Sequence, residues 1–557
     1  VRRAASLSLV LFACGAPGGS AHGPTYDVDA SVGVTMDAGG DAGVQDSGAD
    51  AADASTRTSA DPDVWQKQLI YLVMTDRFFD GDTSNDAAGQ PGCFDTASPS
   101  LFHGGDLAGL RAKIPYLRDL GVTAVWITPL YKQTPLRNGA CGYHGYWADY
   151  ADPDDGAIEP KMGTLADASA LVADLHAAGM NLVLDMVVNH SGRNARIVTQ
   201  HPTWFHDPAT CASLGDPKIY CALNGLPDFA QENPTVASYL SAMSRGWVDR
   251  IKPDGIRMDT AQHVPASYFA SSWFPAVRGA SGDLFTVAEI FDEGAYSNYQ
   301  PELGAGFDSA FDFPLHRALV DAIGKGGSLD LVADKVQASI QTWTLARALM
   351  KTNFIDNHDV PRFMTDAGTG IAPDEMATRH GLALAALFTL PGIPQLYYGD
   401  ELGALGAAPD NRRDMPDWAW DAATRTPHAG YLPSPQAVYA LTKSLAAIRA
   451  GNAALQSGGF KELWRPNGGA TNFYAFHRSA GASRVLVVFH NDAGAPGTVA
   501  IPFAAVGGIA QADRDAWPDG TVLEDRLGVG APATLTVSGG KIAIAPRGKF
   551  AGVYVAR

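Results

Sequence analysis

From Trp65 onward, short apolar runs alternate with longer segments of helical periodicity. The runs Leu69–Thr75, Ala124–Thr128, Asn181–Val188, Gly255–Asp259, Leu284–Glu289, Ser309–Phe313, Thr352–Ile355 and Ile393–Tyr398 read as strands. Between them lie amphipathic segments such as Ala168, Leu171, Val172 and Leu175, spaced i, i+3, i+4, i+7 and ending at Gly179, a residue that accepts a left-handed helix terminus. Strands alternating with helices pair in parallel, and eight such units predict an α/β fold, a closed (beta/alpha)8 TIM barrel, over residues 64–190 and 229–450. Residues 191–228, rich in Pro, Asp and aromatic residues and holding two Cys, are too long for a simple connection and predict a small excursion domain after strand 3. A last helix over Pro435–Ala450 gives way to short β runs such as Ala475–His477 and Val485–Phe489 between Gly-rich turns. Residues 451–557 therefore predict a C-terminal all-beta sandwich.

The chain ahead of the barrel has a different character. Arg2 and Arg3 precede the apolar run Ala4–Ala13, which is too short for the roughly 20 residues of a membrane span and reads as a secretory signal over residues 1–20. Leu11-Phe12-Ala13-Cys14 resembles a bacterial lipobox, so the expected product is exported, as a cell-envelope lipoprotein or a secreted protein, touching a membrane only through that anchor. Residues 21–63 hold nine Asp against one Arg and almost no large apolar side chains, the composition of a disordered tether. The whole chain is 46% hydrophobic and 18% charged with a net charge of -18, which excludes a disordered or collagenous protein and argues against nucleic acid as a partner. Four further cysteines in an exported protein suggest two disulfides, with Cys211 to Cys221 the local pair and Cys93 to Cys141 the remainder.

Active groups in such a barrel sit at the C-terminal strand ends. There the third run enters Asp185-Met186-Val187-Val188-Asn189-His190, the fourth Gly255-Ile256-Arg257-Met258-Asp259, the fifth Val287-Ala288-Glu289 and the seventh Asp356-Asn357-His358-Asp359. A single acidic residue after a strand is usually a cap or a surface ion pair. Helix capping does not require Arg, Asp, Glu, His and Asp to converge from four strand ends on one cavity. With Gly121-Val122-Thr123-Ala124-Val125-Trp126-Ile127-Thr128-Pro129, Tyr143-His144-Gly145-Tyr146-Trp147 and Leu226-Pro227-Asp228-Phe229, these motifs resemble the alpha-amylase family (glycoside hydrolase family 13) from about Gln66 to the C-terminus.

The resemblance implies Asp259 as nucleophile, Glu289 as general acid/base and Asp359 as transition-state stabiliser. Retaining glycoside hydrolysis needs one attacking carboxylate and one protonated carboxyl about 5 to 5.5 Å apart, and Asp259 and Glu289 end neighbouring strands one β/α repeat apart. Arg257 points to the same side of its strand as Asp259 and can hold that carboxylate through charge-assisted hydrogen bonds, while apolar neighbours around Glu289 favour its protonated form. By the same resemblance His190 and His358 bind sugar hydroxyls, Tyr146 stacks on the sugar beside His144, Trp147 fits either sugar or core, and Arg412 binds toward the non-reducing side. Gln262 stands where the family often has Lys, and Ala408 where it often has Asp; both changes touch substrate contacts rather than the catalytic trio.

Calcium is implied twice, as one or two Ca2+ sites. The family site uses Asn189, Asp228 and the backbone carbonyl of His263, an oxygen set suited to a hard cation. Asp80, Asp82, Asn85 and Asp86, together with Gly104 and Asp106, resemble the N-terminal calcium loop of cyclodextrin glycosyltransferases; the alternative is a solvated acidic turn. The expected function is retaining endo-hydrolysis of alpha-1,4 bonds in starch, glycogen or maltooligosaccharides by a monomer. Cyclodextrin glycosyltransferase and cyclomaltodextrinase or neopullulanase activities use the same trio. The first is disfavoured because the chain after Arg449 has room for one sandwich, the second because a tether stands in place of an N-terminal β domain. A non-catalytic sugar-binding relative predicts loss of the carboxylates, and all three are present.

Overall fold

All eight expected runs form strands: β1 (Ile70–Val73), β2 (Ala124–Ile127), β3 (Asn181–Met186), β4 (Gly255–Met258), β5 (Phe285–Ala288), β6 (Ser309–Ala310), β7 (Thr352–Phe354) and β8 (Ile393–Tyr397). The computed structural model describes residues 60–469, 471–494, 497–502 and 517–557. The expected signal, the lipobox and nearly all of the tether lie outside the described residues. The strands pair in parallel in the order β6-β5-β4-β3-β2-β1-β8-β7. A parallel bridge between Phe311 and Thr352 joins the two ends and closes the barrel, with the Ser309 and Thr352 hydroxyls 2.9 Å apart beside it. Several strands stop short of their apolar runs, because the polar residues at those ends turn the chain out of the ladder and into loops at the barrel mouth.

Helices cover the barrel as their periodicity requires. Leu165–Ala177 buries Ala168, Leu171, Val172 and Leu175, begins with a capping box between Thr164 and Asp167, and is followed by Gly179 at φ 77°. After β3 the chain makes short turns through residues 196–225 before the barrel helix Pro234–Ile251. Bridges between His190 and Asp228 and between Phe205 and Phe229 close this excursion at its base. Its packing partner is the loop after β2. Gly192 N–H donates to the Ala148 carbonyl at 2.9 Å, and Arg196 pairs with Asp149 at 2.9 Å. Disulfides join Cys93 to Cys141 and Cys211 to Cys221.

The C-terminal strands are β9 (Gly459–Trp464), β10 (Phe473–Ala480), β11 (Ser483–His490), β12 (Val499–Pro502), β13 (Val522–Asp525), β14 (Thr534–Ser538), β15 (Lys541–Ile544) and β16 (Phe550–Ala556). They form one antiparallel ladder, β12-β15-β14-β13-β16-β11-β10-β9, bent so that β12 returns against β9 and a single apolar core is enclosed. Side chains on the central strands alternate between two cores. Phe473 and Ala475 face the sheet's own core, whereas Tyr474 and Phe476 pack on the barrel. Two buried arginines fasten this joint. Arg449 donates to the carbonyls of Phe388, Leu455, Gln66 and Gly392, and Arg478 to those of Thr389, Gly458 and Gly459.

Candidate active site

Strand register places the reactive groups. Asp185 on β3 pairs with Arg257 on β4, and Arg257 with Val287 on β5. One residue beyond each ladder, Asp259 N–H donates to the Met186 carbonyl at 2.8 Å and Glu289 N–H to the Met258 carbonyl at 3.0 Å. Asp259 and Glu289 therefore leave neighbouring strand ends side by side. Arg257, which is 1% exposed, gathers them: Nη1 reaches Asp259 Oδ1 at 2.8 Å and Asp185 Oδ1 at 2.9 Å, and Nη2 reaches Glu289 Oε1 at 2.5 Å. Because both nitrogens hang from one carbon, the two contacted carboxylate oxygens lie less than about 8 Å apart, within the span of paired-carboxylate glycosidases.

Thr260 completes the pair. Its N–H donates to Glu289 Oε2 at 2.8 Å and its hydroxyl to Asp259 Oδ2 at 3.0 Å. It does so at φ 46°, a region that a β-branched residue occupies only where its surroundings hold it. Burial pushes the Glu289 carboxyl up to about 8; Arg257 opposes the shift, and Asp259 and Asp359 add to it. Burial also works against charge on Asp359, but His358, Arg412 and Arg257 outweigh it and hold this carboxyl below its ordinary range. Arg412 Nη2 donates to Asp359 Oδ1 at 2.9 Å, and the Asn357 side-chain oxygen accepts the N–H groups of Asp359 and Val360. With 35% of its side chain exposed, Asp359 borders the open cleft.

The aromatic wall is wired to the same cluster. The Tyr146 hydroxyl donates to Asp185 Oδ2 at 2.7 Å, so its 2.8 Å contact with His358 Nε2 requires that nitrogen to carry the proton. The two rings are nearly parallel, 5.4 Å apart. Burial holds His358 at about 4, and the ring is neutral at ordinary pH. His144 stacks on Tyr146, Trp147 stands edge-on behind His144, and His190 Nε2 donates to the Tyr146 carbonyl at 3.2 Å. Tyr146, His144, His190, His358 and Arg412 thus gather about the three carboxyls, while Trp147 backs the wall.

Residues 72–209 and 216–429 match the family described as Alpha amylase, catalytic domain. The chain belongs to the alpha-amylase family. A beta/alpha-amylase from Paenibacillus polymyxa is 30% identical over 461 residues, covering 79% of this chain but 34% of that protein. The chain spans 34 to 70% of the length of the first curated relatives. Among solved structures, an Anoxybacillus alpha-amylase superposes with TM-score 0.72 at 28% identity, covering 88% of this chain and 98% of that one. CldA, a cyclomaltodextrin glucanotransferase with a three-domain ABC distribution, gives TM-score 0.72 at 26% identity over 88% and 99% of the two chains. A glucanotransferase of this size removes the argument that a single C-terminal sandwich disfavours sugar transfer.

Two oxygen-lined places bear on the calcium that alpha-amylase family membership implies. The fully buried Asn189 has its side-chain oxygen 2.9 Å from the His263 carbonyl oxygen and 3.2 Å from Asp228 Oδ1. Oxygens so placed repel one another unless the amide turns its NH2 inward or a cation lies among them. Their separations suit ligands sharing a hard cation at about 2.4 Å. In the N-terminal loop, Asp80 Oδ1, Asn85 Oδ1 and Asp86 Oδ1 are buried without hydrogen-bond partners, and a Cβ on Gly104 would meet Asp86 Oδ1 at 2.6 Å. Asp106 is placed otherwise: its two oxygens accept the N–H groups of Gly81, Asp82 and Gly109 and the Asn85 amide, and Asp82 Oδ1 turns to Ser84. No group of three His, Cys, Asp or Glu side chains able to hold a metal occurs among the described residues. The first set thus joins one carboxylate to an amide and a backbone carbonyl oxygen, and the second joins two carboxylates to an amide oxygen.

Sequence reasoning gave no role to Asp185, Thr260 or Asn357. Asp185 is visible in the sequence as a polar residue inside an apolar strand. The Thr260 N–H and the Asn357 turn leave no sequence signal, because backbone direction decides them. Cavities of about 430 and 540 Å³, one beside Trp65 and Asp254 at the opposite end of the barrel and one between Gln341 and Phe460, lie away from this cluster.

Proposed function

We propose that this chain hydrolyses internal alpha-1,4-glucosidic bonds of starch-like glucans with retention of configuration. The supporting observation is the single buried guanidinium of Arg257 holding Asp259 and Glu289 together while Glu289 keeps its proton. Glu289 gives that proton to the glycosidic oxygen as its bond to the anomeric carbon breaks, and Asp259 forms a bond to the same carbon. Glu289, now a carboxylate, takes a proton from water, whose oxygen displaces Asp259 and leaves the sugar with its starting configuration. Asp359, held charged by Arg412 and Arg257, stabilises the positive charge that develops at the ring. Asn189, Asp228 and the His263 carbonyl would hold Ca2+, which would fasten the excursion to the barrel through their oxygens. The enzyme acts as an exported monomer.

Maltoheptaose and soluble starch, followed by chromatography and proton NMR, test this reading. Linear products appearing first as the α-anomer, and lost in Glu289→Gln, are expected. Cyclic products would move the assignment to glucanotransferase, the second reading that the CldA likeness favours, and β-anomers would overturn retention.

A further inference from the structure

Just past β8, a second buried acid meets the loop that carries Asp359. Asp356 and Asp400 are each 1% exposed, and both face one buried cation, Arg362. Arg362 Nη1 lies 3.4 Å from Asp356 Oδ1 and 3.3 Å from Asp400 Oδ1, while its Nη2 donates to the Tyr398 carbonyl at 2.8 Å. Each acid turns its other oxygen to the backbone: Asp356 Oδ2 accepts the Phe363 N–H and Asp400 Oδ2 the Tyr397 N–H, both at 2.8 Å.

Two ionised carboxylates against one guanidinium would leave a net negative charge where no solvent reaches it. The other groups packed around the pair supply no second cation. His380, on the helix Pro373–Thr389, turns Nε2 to the Asp400 carbonyl, His316 turns Nδ1 to the Ile355 carbonyl, and burial holds both rings below their ordinary range. Tyr397 and Tyr398 set their rings against Arg362, and the neighbouring Glu401 accepts from the hydroxyls of Tyr71 and Tyr116. Asp356 is within hydrogen-bonding reach of Asp400. Burial, and then the charge of Asp356, hold the Asp400 carboxyl well above the ordinary carboxylate range, with Arg362 opposing them.

The pair lies at the root of the loop after β7. Asp356 opens that loop, and its side chain takes the Arg362 guanidinium and the Phe363 N–H at the far end, so the segment bearing His358 and Asp359 closes on it. From the loop after β8, Asn411 Nδ2 donates to the His358 and Val360 carbonyls. Asp400, fixed at the end of β8, holds Arg362 from the other side. Loss of a proton between the two acids would drive them apart and loosen the root from which Asp359 reaches the cleft.

We propose that Asp400 is a positioning residue for Asp359: it donates one shared proton to Asp356 and so fixes the root of the loop from which Asp359 faces the sugar. Asp400 itself touches no substrate. Its role rests on Asp359 being the carboxylate that stabilises the transition state.

Asp400→Ala should lower kcat on 2-chloro-4-nitrophenyl maltotrioside about tenfold, the value of one lost hydrogen bond to a charged group, with KM changed less than about threefold. Asp400→Asn, whose amide donates as the neutral acid does, should restore most of kcat. In an Asp359→Asn background, Asp400→Ala should cost less than about twofold, because Asp400 acts through Asp359; the same tenfold fall in both backgrounds would overturn the proposal. The shared proton has a separate readout. An unfolded aspartate loses its proton near about pH 4 whereas folded Asp400 keeps it, so wild-type stability falls as pH rises from about 5 to about 8. Asp400→Asn lacks that loss, and its Tm should gain on the wild-type Tm across this range, a comparison that stands even where Asp400→Ala fails to fold. A Tm difference independent of pH, or an Asp400→Asn enzyme as slow as Asp400→Ala, would show that no proton is shared. If Asp359→Asn keeps wild-type kcat, the assignment of Asp359 is wrong; if it loses activity while Asp400→Ala keeps full kcat, the positioning role alone fails.

Discussion

At the scale of single residues, the chemistry turns on where one proton resides. Glu289 is held protonated by burial, and the nearby charges of Asp259 and Asp359 add to the shift. Its acid form is present below about pH 8 and lost above it, so kcat/KM should keep this function through neutrality and decline as pH passes about 8. Asp359→Asn removes a negative charge that raises Glu289, and the alkaline limb of the residual activity should move to lower pH. A limb that stays in place or moves upward would show that Asp359 does not act on Glu289. Glu289→Gln should lower kcat on starch about 10²- to 10⁴-fold, measured as initial release of reducing ends. Arg257, Asp259, Glu289 and Asp359 were legible in the sequence because each follows or interrupts an apolar strand. Asp106 adds what such reading does not carry: its position in an acidic turn suggests a ligand, and in the structure its oxygens also accept four N–H donors.

Between secondary-structure elements, covalent and polar fasteners do different jobs. The Cys93 to Cys141 bridge closes 48 residues of sequence separation and Cys211 to Cys221 closes 10. Constraint of the unfolded chain alone gives about 4 and about 3 kcal/mol respectively. Replacing the first pair by Ser should therefore lower Tm more than replacing the second; the reverse order would show that native contacts, not chain entropy, dominate. Arg449 is a different fastener. Burial alone pulls its guanidinium down to about 9, and it serves carbonyls from Gln66, Phe388, Gly392 and Leu455. Arg449→Met should destabilise the fold by about 3 kcal/mol or more in denaturant unfolding, since several buried carbonyls lose their donor together. Little of this could be read from sequence, where Arg449 is one basic residue near the end of an amphipathic helix.

For the molecule as a whole, the excursion after β3 meets the barrel where Asn189, Asp228 and the His263 carbonyl bring their oxygens together. Calcium there would bind the folded chain alone and stabilise it by mass action. Rigorous chelation should lower both Tm and starch hydrolysis, and added calcium should restore both. Full stability and activity in metal-free protein would show that the Asn189 amide simply turns inward. The closed ladder also decides which surface is reactive: all eight strands run one way, so every polar strand end opens on the same mouth.

The order of strands and helices, the class of barrel and the catalytic candidates were determined by sequence, because burial in a parallel sheet demands apolar runs and each polar interruption then stands out. Tertiary structure alone decided how those candidates connect. Arg257 can hold three carboxyls only because the β3, β4 and β5 registers bring Asp185, Asp259 and Glu289 within reach of one guanidinium. The Lys218 carbonyl meets the His263 ring only because the excursion folds back over the barrel mouth. The C-terminal strands form one bent ladder because residues on alternate faces must satisfy two cores at once, a demand that local periodicity records without saying which core each face will meet.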